Sequence, residues 1–392
     1  MKIMQTTLEN PKDKTAVPFS RTNPFQAKVL NNVNLNGAGS SKETRHIELS
    51  LDGSGLSYVP GDALGIIPAN DPELVASLID EMAWDEEASV IINKQGETLP
   101  LKEALTSYFE ITLLSKKILQ QAAEFTENEE LKKLVLVENA NQLKEYTNGR
   151  DLLDMFRDFG PWKASAQEFV SLLRKMTPRL YSIASSIAAH PGEVHLTIGA
   201  VRYTAHGRER KGVCSVLVAE RVQEGDTLPV FVQPNKHFHL PESQEKDIIM
   251  VGPGTGIAPF RSFIEERAVI KAAGRSWLFF GDQHAASDFL YQDELEKYQK
   301  DGVLTRVDTA FSRDSEQKVY VQHKMLENSK DLFAWLENGA YFFVCGDKQY
   351  MAKDVHEALL TVIEKEGSMT RDEAQAYLDD MKGQGRYQRD VY

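Results

Sequence analysis

Downstream of Pro241 the sequence alternates short apolar runs with helix-length stretches, and few architectures accommodate that rhythm. Asp247-Ile-Ile-Met-Val251, Ser276-Trp-Leu-Phe-Phe280, Val303-Leu-Thr-Arg-Val307 and Ala340-Tyr-Phe-Phe-Val344 read as strands, with helices expected over 259–272, 291–300, 318–328 and 351–366. Strands this apolar need cover on both faces, so the expectation for 242–392 is a doubly wound parallel α/β sheet. Ligands of such a sheet sit at the carboxyl ends of its strands.

Upstream the pattern differs. Phe25-Gln-Ala-Lys-Val-Leu30, Arg45-His-Ile-Glu-Leu-Ser-Leu51, the turn and short strand of 58–65, and the stretches 180–186, 193–203 and 227–233 alternate like half-buried strands. Between 71 and 174 the spacing turns helical, as in Pro72-Glu-Leu-Val-Ala-Ser-Leu-Ile79 and Asp151-Leu-Leu-Asp-Met-Phe-Arg157. The expected α+β multidomain organisation is an antiparallel β-barrel (23–70 and 175–241) split by an all-helical insertion (71–174) and followed by the α/β domain. Residues 1–22 are polar and proline-punctuated, which predicts a flexible arm.

A formal charge of −13 argues against nucleic acid as a partner, because phosphate backbones reward Lys and Arg. The acidity serves either solubility or docking to a basic partner face. No run of about 18 apolar residues occurs and the N-terminal residues lack a signal-peptide core, so the expectation is a cytoplasmic protein without a membrane anchor. Cys214 and Cys345 lie in no CxxC pair, which predicts neither a disulfide framework nor a cysteine-held metal.

Four motifs carry chemistry. In Val251-Gly-Pro-Gly-Thr-Gly-Ile-Ala-Pro-Phe260 a glycine turn opens a helix after an apolar run, which fits either a plain tight turn or an anion held by backbone N–H groups. Its spacing is not GxGxxG. Phe311-Ser-Arg313 and Lys318-Val-Tyr-Val-Gln322 gather hydroxyl, guanidinium, ammonium and phenol groups suited to a phosphomonoester, although Asp314 and Glu316 among them would repel one. Arg179-Leu-Tyr-Ser182 offers a cation for phosphate, an aromatic face and a hydroxyl within four residues. The tail Gly385-Arg-Tyr-Gln-Arg-Asp-Val-Tyr392 ends on an aromatic, where a chain normally frays.

Together with Phe343-Val-Cys-Gly-Asp347, these motifs resemble, in order, the FAD- and NADPH-binding half of the diflavin reductases, a ferredoxin-NADP reductase-like module, and within them the assimilatory NADPH-sulfite reductase branch. The resemblance implies an FAD site made by Thr112, Arg179, Leu180, Tyr181, Ser182, Thr197, Ile198, Gly199, Tyr203, the loop Gly212, Val213, Cys214 and Ser215, and Tyr392. For NADPH it implies Gly254, Thr255, Ser312, Arg313, Lys318, Val319, Tyr320, Val321, Gln322 and Asp354. Ser182, Cys345 and Asp390 would flank the reacting atoms, with none acting as a covalent nucleophile. Tyr392 would stack on the flavin opposite Tyr181 and swing away for nicotinamide. Core packing competes as a reading of Tyr203 and Thr112, and a final edge strand with an aromatic plug competes as a reading of Tyr392.

The implied activity is NADPH-dependent flavoprotein reduction. Hydride passes from NADPH to FAD and electrons go on to a separate acceptor: a sulfite reductase hemoprotein, a flavodoxin or FMN protein, or a ferredoxin-like protein. A flavodoxin/ferredoxin-NADP reductase or P450-reductase-like donor is the runner-up, and a non-catalytic nucleotide-binding subunit is the alternative of another class. The roughly 20 residues before the barrel are too few for an FMN domain, so no FMN is expected in this chain. A monomer is expected as well, since that family assembles through its FMN part.

Overall fold

The computed structural model describes residues 18–392; most of the expected arm lies outside the described residues. Strands β1 (Phe25–Asn34), β2 (Thr44–Ser50) and β3 (Ala63–Ile66) precede an insertion holding the short strands β4 (Ser89–Ile91) and β5 (Thr98–Pro100). Strands β6 (Arg179–Ser182), β7 (Glu193–Gly199), β8 (Arg202–Ala205), β9 (Arg208–Lys211) and β10 (Thr227–Gln233) follow. The main sheet runs β6-β3-β10-β1-β2-β7, antiparallel throughout. Its two edges meet where Ile183 bridges Leu196 and the Ala184 N–H donates to the His195 carbonyl at 2.8 Å, which closes the barrel. Alternate residues such as Ala27, Val29, Ile47, Leu49, Leu196 and Ile198 fill its interior, as a period of two requires.

The insertion has its own core around Leu105, Leu119, Phe156 and Phe169. It is helical except for the β4–β5 ribbon, which corrects the all-helical expectation: Asn93 Oδ1 accepts from the Gln95 and Glu97 N–H groups and folds the chain back on itself. Asp151 and Asp154, a capping box opening the helix Leu152–Phe159, also receive Arg208 and Arg210 at 2.8–2.9 Å and so strap the β8–β9 ribbon to the insertion.

Strands β11 (Ile248–Val251), β12 (Ser276–Asp282), β13 (Arg306–Phe311), β14 (Tyr341–Gly346) and β15 (Tyr387–Val391) form a parallel sheet in the order β13-β12-β11-β14-β15. Ile248, Met250, Leu278, Phe280 and Phe343 pack toward the helices Ala258–Ile270 and Gln292–Lys300. Ile249, Val251, Trp277, Phe279, Phe342 and Val344 pack the other way, against helices between Val321 and Gly383. Both faces are therefore covered. The third strand lies later than the expected 303–307, because Val303 and Leu304 instead cap the preceding helix through N–H bonds to the Tyr298 carbonyl. Among the described residues no helix is long and apolar enough to cross a membrane.

A buried polar seam joins barrel and sheet. Arg261, 6% exposed, donates to the Ala184 carbonyl at 2.8 Å and pairs with Glu265 at 2.9 Å and Glu294 at 2.8 Å. Glu265 accepts from the Ser186 N–H at 2.8 Å, and the Tyr291 hydroxyl meets His46 at 2.9 Å and Thr197 at 2.7 Å. Burial, with Arg261 next in weight, holds His195 down to about 2, so its imidazole is neutral. Burial lifts Glu265 above its ordinary value against the pull of Arg261.

Arg261→Met is expected to lower stability by about 3–5 kcal/mol near neutral pH, since it strands a buried carboxylate. A carboxyl whose folded value is raised makes stability fall as pH rises through the interval above its unfolded value, and losing Arg261 widens that interval. The deficit should therefore shrink on acidification toward the ordinary carboxylate range. Urea denaturation of both proteins at neutral and mildly acidic pH checks this; a deficit independent of pH would clear Glu265 of the role.

Candidate functional site: a cavity between barrel and sheet

The strand order reverses between β11 and β14, so the loops leaving their carboxyl ends diverge over a crevice. Gly252–Gly256 leaves β11, turns through Gly254 at φ +57°, and passes so near β14 that a Cβ on Gly256 would lie 2.2 Å from the Cys345 carbonyl oxygen. A glycine there is a packing requirement. The helix Ala258–Ile270 then starts with Pro259 in its first turn, as the motif predicts.

Above this crevice, a cavity of about 1210 Å³ is lined from the barrel by Leu180, Tyr181, Ser182, Thr197, Gly199, Gly212, Val213, Cys214 and Ser215. From the sheet it is lined by Gly254, Thr255, Asp282, Gly346, Asp390 and Tyr392. A second cavity of about 580 Å³, lined by Thr112, Tyr203 and Arg208, shares Arg179, Val201, Gly212 and Val213 with the first. The two make one elongated trough. Val213, Cys214 and Ser215 are buried, which leaves their main chain as the trough's wall. Tyr203 is 51% exposed on that wall, which excludes core packing as its role. Ile198 departs from the expectation: its side chain is fully buried in the barrel core, so only its backbone is free to face the trough. The Thr197 hydroxyl is likewise spoken for, by Tyr291.

Sequence reasoning missed Glu110. Its carboxylate, fully buried, receives Arg179 at 2.9 Å and both the N–H and the hydroxyl of Thr112, at 3.1 and 2.6 Å. Burial would raise Glu110, yet the bonds from Thr112 and Arg179 outweigh it and hold the carboxyl below its ordinary value. A single acid from the insertion thus orients two expected FAD residues. Nothing local in the sequence marks it, since Arg179 lies 69 residues away.

At the centre, Ser182 of the barrel donates to Asp390 Oδ2 on β15 at 2.6 Å. The Cys345 thiol points at the same oxygen from 4.0 Å, as the register of Cys345 opposite Asp390 dictates. Burial, then Asp390, pushes that thiol well above its ordinary value, so it is a neutral S–H. Tyr392 belongs to no core: it is 64% exposed, its backbone is pinned by bonds to Gly346 and Lys348, and its hydroxyl meets Thr255 Oγ1 at 2.9 Å. The edge strand is real, but it ends before the ring, which stands over the cavity.

The other expected nucleotide residues form a shelf beside the cavity and not part of its wall. Ser312 and Arg313 hang from β12 by N–H bonds to the Asp282 and Gln283 carbonyls, both at 2.9 Å. Arg313 and Lys318 are exposed, and among the described residues neither has a carboxylate partner. Asp314, the expected repulsive neighbour, is turned away: its oxygens accept from His284 and from the Ala285 N–H. Gln322 donates to Asp354 at 3.2 Å, which brings those two together. Tyr320 is exposed, Val319 is half-buried and Val321 is packed against the sheet, so the valines present only backbone.

The FAD binding domain family matches residues 17–217, and the oxidoreductase NAD-binding domain family matches residues 250–357. The chain belongs to the FAD binding domain family. In this flavoprotein the second domain follows in the order that the resemblance to diflavin reductases implies. The sulfite reductase (NADPH) flavoprotein alpha-component of Bacillus subtilis (strain 168) is 64% identical over 95% of this chain and 62% of its own length. The proteins of that name from Vibrio parahaemolyticus serotype O3:K6 and Escherichia coli O139:H28 are each 47% identical, over 59% and 62% of their lengths and 95% and 96% of this chain. The chain therefore spans about three fifths of the length of these curated relatives.

Gly256→Ala should leave FAD uptake intact while weakening NADP+ binding at least about tenfold, because the loop or β14 must shift to admit the methyl group. Titration calorimetry on the FAD-loaded variant measures it, and unchanged affinity would show that this close approach does not shape the nucleotide site.

Proposed function

We propose that this chain is an NADPH-dependent flavin reductase module, passing electrons from NADPH through FAD to a separate protein in the reduction of sulfite to sulfide. The observation that carries the reading is the 2.6 Å bond between Ser182 of the FAD-binding barrel and Asp390 of the nucleotide-binding sheet, at the floor of a cavity both domains line. Two carrier sites meeting at one hydrogen bond suit direct transfer between bound partners. Bound FAD supplies the chemistry: it accepts a hydride as two electrons and can release them singly.

The trough fits that cofactor. Arg179, oriented by Glu110, and the Gly212–Ser215 main chain would face its pyrophosphate, Tyr181 and Tyr392 its ring system, and Tyr203 its adenine. The Ser182 hydroxyl donates its proton to Asp390, and the pair would stand beside the reacting atoms of a bound flavin and nicotinamide. Cys345, kept a neutral thiol by burial, adds a weak donor and a polarisable wall and offers no nucleophile. Tyr392 covers the cavity and would turn aside to admit nicotinamide; its pinned backbone confines that motion to the side chain.

Among the described residues Arg313 and Lys318 have no carboxylate partner, and a 2′-phosphate would give them one, which supports NADPH over NADH. A sulfite reductase hemoprotein is the acceptor we favour, since the relatives carry that enzyme's name. The deciding experiment loads the protein with FAD and adds NADPH or NADH without oxygen. Rapid loss of the flavin's visible absorbance with NADPH, much slower with NADH, is the expected result; a protein that takes up no FAD, or whose FAD is not reduced, refutes the reading.

Two variants sharpen it. Arg313→Ala should raise the KM for NADPH about 10- to 150-fold, the equivalent of a charge-assisted contact of about 1.5–3 kcal/mol, while sparing NADH. Equal losses for both would remove the 2′-phosphate role. Deleting Tyr392 should improve use of NADH more than that of NADPH in steady-state assays, because the displacement cost limits the weaker binder; an unchanged ratio would leave the ring as a plug.

A further inference from the structure

Asp282 is out of place in an anion site. Its side chain is 2% exposed, it ends β12 at the cavity wall, and its Oδ2 lies 3.7 Å from where a Cβ of Gly254 would be. A buried carboxylate against a phosphate-binding turn would repel the ligand. The answering cation comes from the other domain: Lys42, on the loop between β1 and β2, makes a short ion pair with Asp282 Oδ1, which also accepts from the Gln283 N–H at 2.7 Å.

The loop that carries Lys42 is fixed for the purpose. The Gly37 N–H donates to the Ser287 carbonyl at 2.7 Å, Asn36 and Ser40 both reach Asp288, and Ser41 donates to Gln283 at 3.1 Å. The segment it grips is the one from which Ser312 and Arg313 hang. A barrel residue thus reaches into the wall of the dinucleotide cavity, 240 residues from its partner in the chain.

We infer that Lys42 is a positioning residue for the dinucleotide: by neutralising Asp282 it lets the Gly254–Thr255 turn accept a pyrophosphate, so that the FAD barrel itself sets the affinity of the neighbouring domain for NADPH. The inference rests on the nucleotide reading given above. It differs from the role of Arg313 in concerning the pyrophosphate, common to NADPH and NADH, and leaving the 2′-phosphate alone.

The test is calorimetric, on FAD-loaded protein, with NADP+ and with 2′-AMP, which carries the 2′-phosphate and no pyrophosphate. Lys42→Met is expected to weaken NADP+ about 5- to 20-fold with 2′-AMP unchanged, and the added change Asp282→Asn to restore NADP+ to within about twofold of the original. Should Lys42→Met fail to hold FAD, Asp282→Asn alone serves: it should bind NADP+ at least as tightly as the parent. Unchanged NADP+ affinity in Lys42→Met, a double variant as weak as the single, or weaker binding in Asp282→Asn would each overturn the inference. A parent protein that binds neither ligand would overturn the nucleotide reading along with it.

Discussion

Arg261 fills a position that neither domain could satisfy alone. It rises from the sheet's first helix, donates to a barrel carbonyl, and takes its countercharges from Glu265 and Glu294 on its own side. An apolar interface would resist separation just as well but would slide more easily, whereas a guanidinium with several fixed acceptors permits one registration. That registration is what the cavity needs, because Ser182 and Asp390 come from opposite sides of the seam and meet at 2.6 Å. A shift of a single ångström would part them.

Much of this was legible in the sequence, for a definable reason. Where a strand's environment is symmetrical, its composition declares it: β11, β12 and β14 are buried on both faces and read as unbroken apolar runs. The edge strand β13 carries Arg306, Asp308 and Thr309, while the apolar pair just before it serves a helix end, so the reading settled on the wrong residues. The ribbon β8–β9 hid behind Arg208, Glu209 and Arg210, whose charges make sense only once Asp151 and Asp154 are opposite them. The expected run Phe25–Leu30 stops short of β1, which continues to Asn34; there the Asn32 side-chain amide N–H group donates to the carbonyls of Val218 and Val222.

The site divides the same way. Residues that must face a ligand through one short stretch of backbone cluster in sequence, and Arg179–Ser182, Gly212–Ser215 and Gly252–Gly256 could be found as motifs. Residues that act on those residues come from wherever the fold brings them. Glu110, from the insertion, and Lys42, from the barrel, have partners 69 and 240 residues away, and no local motif points to either. Ile198 marks the converse error: a residue inside a motif whose side chain belongs to the barrel core.

These contacts also recast the chain's acidity. Along the trough several carboxylates are already engaged: Glu110 with Arg179, Asp282 with Lys42, Asp151 and Asp154 with two arginines, Asp347 with the N–H groups that open the helix Met351–Gly367. Arg313 and Lys318, on the shelf, have no carboxylate partner among the described residues. A strongly negative protein can therefore hold a polyanionic dinucleotide, because charge acts over the few ångströms of a site and is screened beyond about 8–10 Å in physiological salt. Net charge governs how the whole molecule approaches others; the local pairing of each acid decides what the cavity will accept.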